Sequence, residues 1–212
     1  MTRKLFITRT EGDLGNSYLY AYSQQIIDEA KRLGWDVQKE EKEAVEESRI
    51  HSRLSSHYNL IIFNGHGEPN AVYGHEGEAV LSSADARLLS TSITYIRACA
   101  ALSGLGKAAV KEGAAAVVGY RGDLWIPQVN EYKATPLKDP AAQPVMEVSN
   151  LVATKLLKGS SVTEAVEGAQ HRTNSLVEAI LLRNDFYDNP TLQALVYNDA
   201  VLGFEGNGNA RA

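Results

Sequence analysis

Leu60-Ile61-Ile62-Phe63-Asn64-Gly65-His66-Gly67 and Ile93-Thr94-Tyr95-Ile96-Arg97-Ala98-Cys99 are the two stretches on which the reading of this 212-residue chain turns. Each begins with a short, wholly apolar or β-branched run, the pattern of a strand buried on both faces of a parallel sheet. Each then delivers a chemically capable side chain, an imidazole flanked by glycines in one case and the chain's single thiol in the other. Residues just beyond the carboxyl ends of neighbouring parallel strands gather along one edge of the sheet, where open α/β folds bind ligands. The two runs therefore place His66 beside Cys99, the minimum apparatus for a cysteine nucleophile with a histidine base.

The flanking sequence supplies the remainder of such a sheet. Leu5-Phe6-Ile7-Thr8 reads as strand one, and Trp35-Asp36-Val37 opens a second. Between them Leu19, Tyr22, Ile26, Ile27, Ala30 and Leu33 form one helical face, with Ser17 as candidate cap and Gly34 as stop. Residues 40–56 read as a charged, solvated helix, and Val72-Tyr73 with Ala79-Val80-Leu81 as a hairpin around residues 74–77. Ser83 is a candidate cap for a short helix through Leu89. A helix over 102–112 ending at Gly113 and a buried strand over 115–120 follow. Residues 126–144 hold Pro127, Pro136, Pro140 and Pro144 with little periodicity and read as a long exposed loop. Helices are expected at 145–157 and 162–183, a last strand or hairpin from Leu195-Val196-Tyr197 and residues 201–204, and a flexible tail over 206–212. Alternating strands and helices give an α/β architecture with a mostly parallel sheet, in one domain over 1–205.

Composition narrows the function classes. At 44% hydrophobic residues the chain can bury one sizeable core. A net charge of −5 without a basic block argues against a nucleic-acid partner. No segment reaches the ~20 apolar residues that span a bilayer, so no membrane partner is expected. A lone cysteine precludes an intramolecular disulfide, and the start Met1-Thr2-Arg3-Lys4 lacks a signal-peptide pattern; a cytoplasmic location is the expectation. His51 and His57 fall in or near a polar helix and read as solvated, His75 at a hairpin tip and His171 within a helix. No HExxH or paired-cysteine spacing points to a metal, and no cofactor is expected.

The chemistry at the strand ends can be drawn further. A thiol is mostly protonated at neutral pH until a neighbouring base takes its proton. A helix expected to open just after Cys99 would favour the thiolate through its dipole. The backbone N–H groups of Gly67 and Cys99 are candidate oxyanion donors, and glycine at 67 lets a carbonyl approach.

A buried strand ending in His-Gly, a hairpin, and a second strand ending in Ala-Cys resemble the caspase-like cysteine peptidases, a group that includes caspases, metacaspases, legumains, gingipains, separases and CHAT-type proteases. The resemblance runs in layout from about Leu5 to Trp125 and is carried by Asn64-Gly65-His66-Gly67, Arg97-Ala98-Cys99 and the strand through Tyr120. It implies a three-layer sandwich with helices on both faces of the sheet. It implies an endopeptidase in which Cys99 is nucleophile and His66 base, the Gly67 and Cys99 amides form the oxyanion hole, and no third catalytic residue is required. The substrate would be a protein segment. Bacterial relatives of this size act beside a separate activating sensor or regulatory protein, for example in anti-phage defence or cell death. The sequence departs from the pattern in placing Ala100, rather than glycine, behind the cysteine.

In that family the positions matching Arg9, Arg97 and Arg121 help line the pocket for the residue before the cut (P1). Guanidinium groups there would hold a carboxylate, so the expected preference is acidic, most simply Asp. Asp123 leaves the alternative of a pocket for Arg or Lys. The competing readings are a catalytically silent binding module of the same fold, a small-molecule hydrolase or amidotransferase, whose Gly-x-Cys-x-Gly elbow the alanines around Cys99 do not supply, and a flavodoxin-like nucleotide domain, for which Gly12 and Gly15 are a sparse phosphate cradle.

Overall fold

Alternation along the strands decides which side of the sheet each helix covers. A computed structural model of the chain describes residues 2–183 and 189–212. In β1 (Lys4–Arg9), Leu5 and Ile7 enter one apolar cluster and Phe6 the opposite one; in β3 (Leu60–Asn64), Leu60 and Ile62 divide from Ile61 and Phe63 in the same way. The first cluster is closed by α1 (Leu14–Arg32), α4 (Ala142–Leu157), α5 (Val162–Leu182) and α6 (Pro190–Val201). The second is closed by α2 (Glu47–Leu54), α3 (Leu105–Lys111) and a small three-stranded sheet of β4 (His66–Glu68), β5 (Ala71–Tyr73) and β6 (Ala79–Ser82). The result is the expected three-layer sandwich with helices on both faces.

The main sheet also holds β2 (Asp36–Glu41), β7 (Ile93–Arg97), β8 (Ala116–Tyr120) and β9 (Leu202–Gly206), in the order β2-β1-β3-β7-β8-β9. All pairings are parallel except β8 with β9. The chain turns outward from β1 to β2 and then crosses to β3 on the other side of β1, which makes the β1/β3 boundary the switch point where such sheets open a crevice. Parallel register places Asn64 opposite Arg97, so the segments leaving β3 and β7 start side by side.

Several local expectations are corrected. α1 begins at Leu14 with Asp13 as its cap, because the Asp13 carboxylate accepts the Asn16 N–H at 3.0 Å; Ser17 instead donates back to Leu14 O within the helix. Glu40 and Glu41 belong to β2, a 3₁₀ turn covers Lys42–Ala44, and the charged stretch is α-helical over Glu47–Leu54. Ser83 caps no α-helix; a short 3₁₀ turn covers Ala86–Leu89. Residues 195–197 are helical, since Asn189 caps α6 and Pro190 opens it, an N-terminal signature that outweighs β-branched composition. The tail is tied down over its last residues: Val162 and Thr163 at the start of α5 donate to Ala210 O and Gly208 O, and Arg211 donates to Gly159 O.

The 126–144 segment is anchored on Asp139. This carboxylate is fully buried and accepts from Tyr18 Oη (2.5 Å), Val129 N (2.8 Å) and Ala141 N (2.9 Å). Two 3₁₀ turns, Asn130–Tyr132 and Pro136–Lys138, fill the interval, and Pro144 lies in the first turn of α4.

Candidate active site

Four adjacent strands deliver four side chains to one sheet edge. Asp13 follows β1, His66 follows β3, Cys99 follows β7 and Asp123 follows β8. The ends of β1 and β3 are locked together, with Asn64 N donating to Thr8 Oγ1 (2.9 Å) and Thr10 Oγ1 donating to Asn64 O (2.9 Å).

His66 sits at the start of β4, paired with Tyr73, and its ring is half exposed. Its Nε2 lies 2.7 Å from Asp13 Oδ2. A carboxylate only accepts, so Nε2 carries a proton, and in the neutral ring the lone pair is then on Nδ1. Partial burial works against ionisation of Asp13, but the Asn16 N–H and the imidazole prevail and hold its carboxyl below the usual range. No expectation included Asp13. The available signal was an acidic cap residue directly before an apolar helical face, at the end of strand one.

Cys99 is partly buried. Burial pushes its thiol above the ordinary value, and the nearby Asp123 carboxylate adds to this; N–H groups of Leu124 and of Cys99 itself pull the other way. Leu124 N lies 3.4 Å from Sγ. The expected helix-dipole assistance is absent, because Ala100 is left-handed (φ 53°), a 3₁₀ turn follows at Ala101–Ser103, and α3 starts only at Leu105. Gly67 abuts the cysteine: a β-carbon there would stand 2.5 Å from Cys99 O and 3.1 Å from Cys99 N. The segments bearing imidazole and thiol are thus in backbone contact.

The three arginines are placed otherwise than expected. Arg97 is fully buried on the α4 side of the sheet, donating to Asn64 Oδ1 and Ser149 Oγ, each at 3.0 Å. Desolvation lowers its pKa, and its Nη2 has no partner. Arg9 is buried and paired with Glu41, donates to Ser23 Oγ and Tyr20 O, and stacks on the Tyr20 ring. Arg121 is half exposed but engaged by Glu205 (2.5 Å) and Phe204 O (3.1 Å). A strand-end position does not tell which face a side chain takes, and these three point to structural partners. Asp123 is exposed, beside the thiol. A cleft of about 400 Å³ opens next to it, lined by Gly15, Leu124, Trp125, Ile126, Pro190 and Ala194 among others.

One group of side chains among the described residues could hold a metal. The ligand atoms of Glu47, His51 and Asp85 lie within 4.8 Å of one another. His51 Nε2 is shielded there without a hydrogen-bond partner, in contrast to the solvated reading of this residue. Glu47 and His51 lie on α2, and Asp85 in the turn that follows β6. No helix among the described residues is long and apolar enough to cross a membrane.

Comparison with solved structures decides the architecture. The Arg-specific cysteine proteinase gingipain R (RgpB) superimposes with a TM-score of 0.62 over 99% of this chain at 12% identity. The chain has a caspase-like fold. The complex of RgpB pro- and mature domains from Porphyromonas gingivalis matches at TM-score 0.59 and 12% identity over 98% of the chain, and a structure described as a protease at 0.57 and 15% over 99%. The caspase-like chain spans about half the length of these structures, covering 47% of the first and 48% of the others. No protein-family model and no curated protein sequence matches it. At this identity the likeness concerns the fold, and the roles of individual residues rest on the geometry above.

Proposed function

We propose that this caspase-like protein is a cysteine endopeptidase that cuts after a basic residue. The observation that carries the reading is the Asp13–His66 hydrogen bond, because it sets the imidazole in the tautomer able to act as base, on the strand next to the one that presents the thiol. A thiol held above its ordinary pKa is protonated at rest, so His66 acts as a true general base. Nδ1 takes the Cys99 proton as Sγ attacks the scissile carbonyl, and the Gly67 and Cys99 N–H groups receive the oxyanion. The amine then leaves with the proton from Nδ1, and water, deprotonated by the same nitrogen, releases the acid from the thioester.

The basic preference replaces the acidic one. Arg97 and Arg9 are buried, and Arg121 is neutralised by Glu205, which leaves Asp123 as the exposed charge beside Cys99. A lysine or arginine side chain would find its counter-ion there. The Arg specificity of gingipain R is in keeping with this. The rival, a silent binding module, is favoured by the raised thiol pKa alone.

Fluorogenic peptides differing only at P1 test the proposal. Arg or Lys peptides should be turned over and Asp peptides not, with all turnover lost in Cys99→Ala. Faster cleavage of Asp peptides overturns the P1 assignment, and turnover that survives Cys99→Ala overturns the mechanism.

A further inference from the structure

We infer that Asn198 is a positioning residue for the Cys99 thiol, acting through the backbone of residues 123–125. The inference deepens the proposed function and rests on it for its catalytic meaning, although its geometry stands alone.

β8 ends at Tyr120, and its ladder with β9 ends there too. Residues 123–125, which pass in front of the thiol, have no neighbouring strand. Asn198 substitutes for one. Its Oδ1 accepts the Trp125 N–H at 2.9 Å and its Nδ2 donates to Trp125 O at 2.8 Å, the two bonds an adjacent strand would make with a single residue. One turn of the same helix adds Tyr197, whose Oη accepts the Asp123 N–H at 3.3 Å and whose ring stacks on Trp125 at 4.3 Å. Leu124 is thereby held on both sides, and its own N–H meets Cys99 Sγ at 3.4 Å. A sulfur acceptor at this distance tolerates little displacement, since hydrogen bonds weaken quickly with length and angle. The next backbone anchors along the chain are Gly122 O, which accepts from Ala100 N, and Val129 N, which donates to Asp139.

The choice of asparagine is informative. Asn198 is 8% exposed, and a buried amide is costly unless both its ends are bonded. Here both ends are spent on one residue outside the helix. Leucine would bond neither end, and aspartate would set an oxygen against the Trp125 carbonyl.

The test is the pH dependence of Cys99 alkylation by iodoacetamide, which reads one site because the chain has one cysteine. It is run in an Asp123→Asn background, so that movement of that carboxylate cannot offset loss of the Leu124 N–H. Adding Asn198→Ala should raise the alkylation midpoint by about one pH unit, a roughly tenfold loss of thiolate at a fixed pH below it. Adding Tyr197→Phe, which keeps the stacked ring and loses only the hydroxyl, should move it the same way by less, and it serves if Asn198→Ala does not fold. Adding Leu195→Ala, which cuts into the core from the same helix, should lower Tm and leave the midpoint in place. An unmoved midpoint in both clamp variants, or an equal shift in Leu195→Ala, overturns the inference. A shifted midpoint in a protein that cleaves no peptide would keep the clamp and reject the peptidase.

Discussion

Gly67 and Cys99 meet backbone to backbone: a methyl group on the glycine would lie 2.5 Å from the cysteine carbonyl oxygen and 2.7 Å from the Ala98 β-carbon. Neither obstacle is a flexible side-chain end, so one of the two segments must move. Gly67→Ala should therefore cost about 1–3 kcal/mol, the usual penalty of overpacking, measured by urea denaturation. Peptide turnover should fall further than stability does, about 100-fold, because a shift of order 1 Å between nucleophile and base suffices for that. A variant that folds and works like the parent would mean that β4 can retreat without consequence.

Asp13 has two duties that substitution can separate. Asparagine is as good a helix cap as aspartate, whereas alanine is not. Asp13→Asn should hold Tm near the parental value and still reduce kcat at least tenfold, because with its one oxygen kept at the cap it turns an NH₂ group, which cannot accept, toward Nε2. Asp13→Ala should lose the same activity and about 1 kcal/mol of stability as well. Since the Asp13 carboxyl is held low in the folded state, its contribution is present above the ordinary carboxylate pKa and fades as pH falls through the lower, folded value. The stability gap between parent and Asp13→Ala should thus narrow as pH falls through that lower value.

Asp123 should govern both the thiol and the substrate. Burial is the main reason the thiol stays protonated and the Asp123 charge adds to it, so Asp123→Asn should lower the alkylation midpoint and raise the iodoacetamide rate several-fold at a fixed pH below that midpoint. The same variant should lose its preference for basic P1 residues. Arg97→Met should change stability and leave the P1 preference where it was, because that guanidinium does not reach solvent.

Asp139 should behave as the fastener of the 126–144 segment. Tyr18 Oη, Val129 N and Ala141 N prevail over burial and hold its carboxyl low, while burial first and this carboxylate second raise the tyrosine. Asp139→Asn leaves at least one buried donor facing an NH₂ group and should cost about 2–4 kcal/mol. Limited trypsinolysis should then cut at Lys133 or Lys138 far faster than in the parent. The advantage of the parent is present above the ordinary carboxylate pKa and is lost as pH falls through the lower folded one, so urea midpoints of the two proteins should converge in acid.

The strands were legible because their signal is local. Runs such as residues 60–63 are apolar throughout and short, which in an α/β context leaves little besides a doubly covered strand. The C-terminal region was misread at Leu195-Val196-Tyr197 for the complementary reason: three residues of strand-like composition carry less weight than the Asn189 cap and Pro190 start that precede them. Residues 206–212 read as a tail because nothing in their composition reveals that the first N–H groups of α5 take the carbonyls of Gly208 and Ala210 as partners.

By itself, then, the order of residues determined the layered α/β architecture and the delivery of an imidazole and a thiol to one end of neighbouring strands, since hydrophobic period and chain order are properties of the sequence. Only the tertiary structure decided that Asp13 holds His66, that Arg9, Arg97 and Arg121 turn to structural partners, and that Asn198 grips the backbone in front of Cys99. Those contacts join residues far apart along the chain, and each depends on which way a side chain turns once helices and strands have packed. A turn of one residue past a strand end exchanges core for solvent, and periodicity carries no record of that turn.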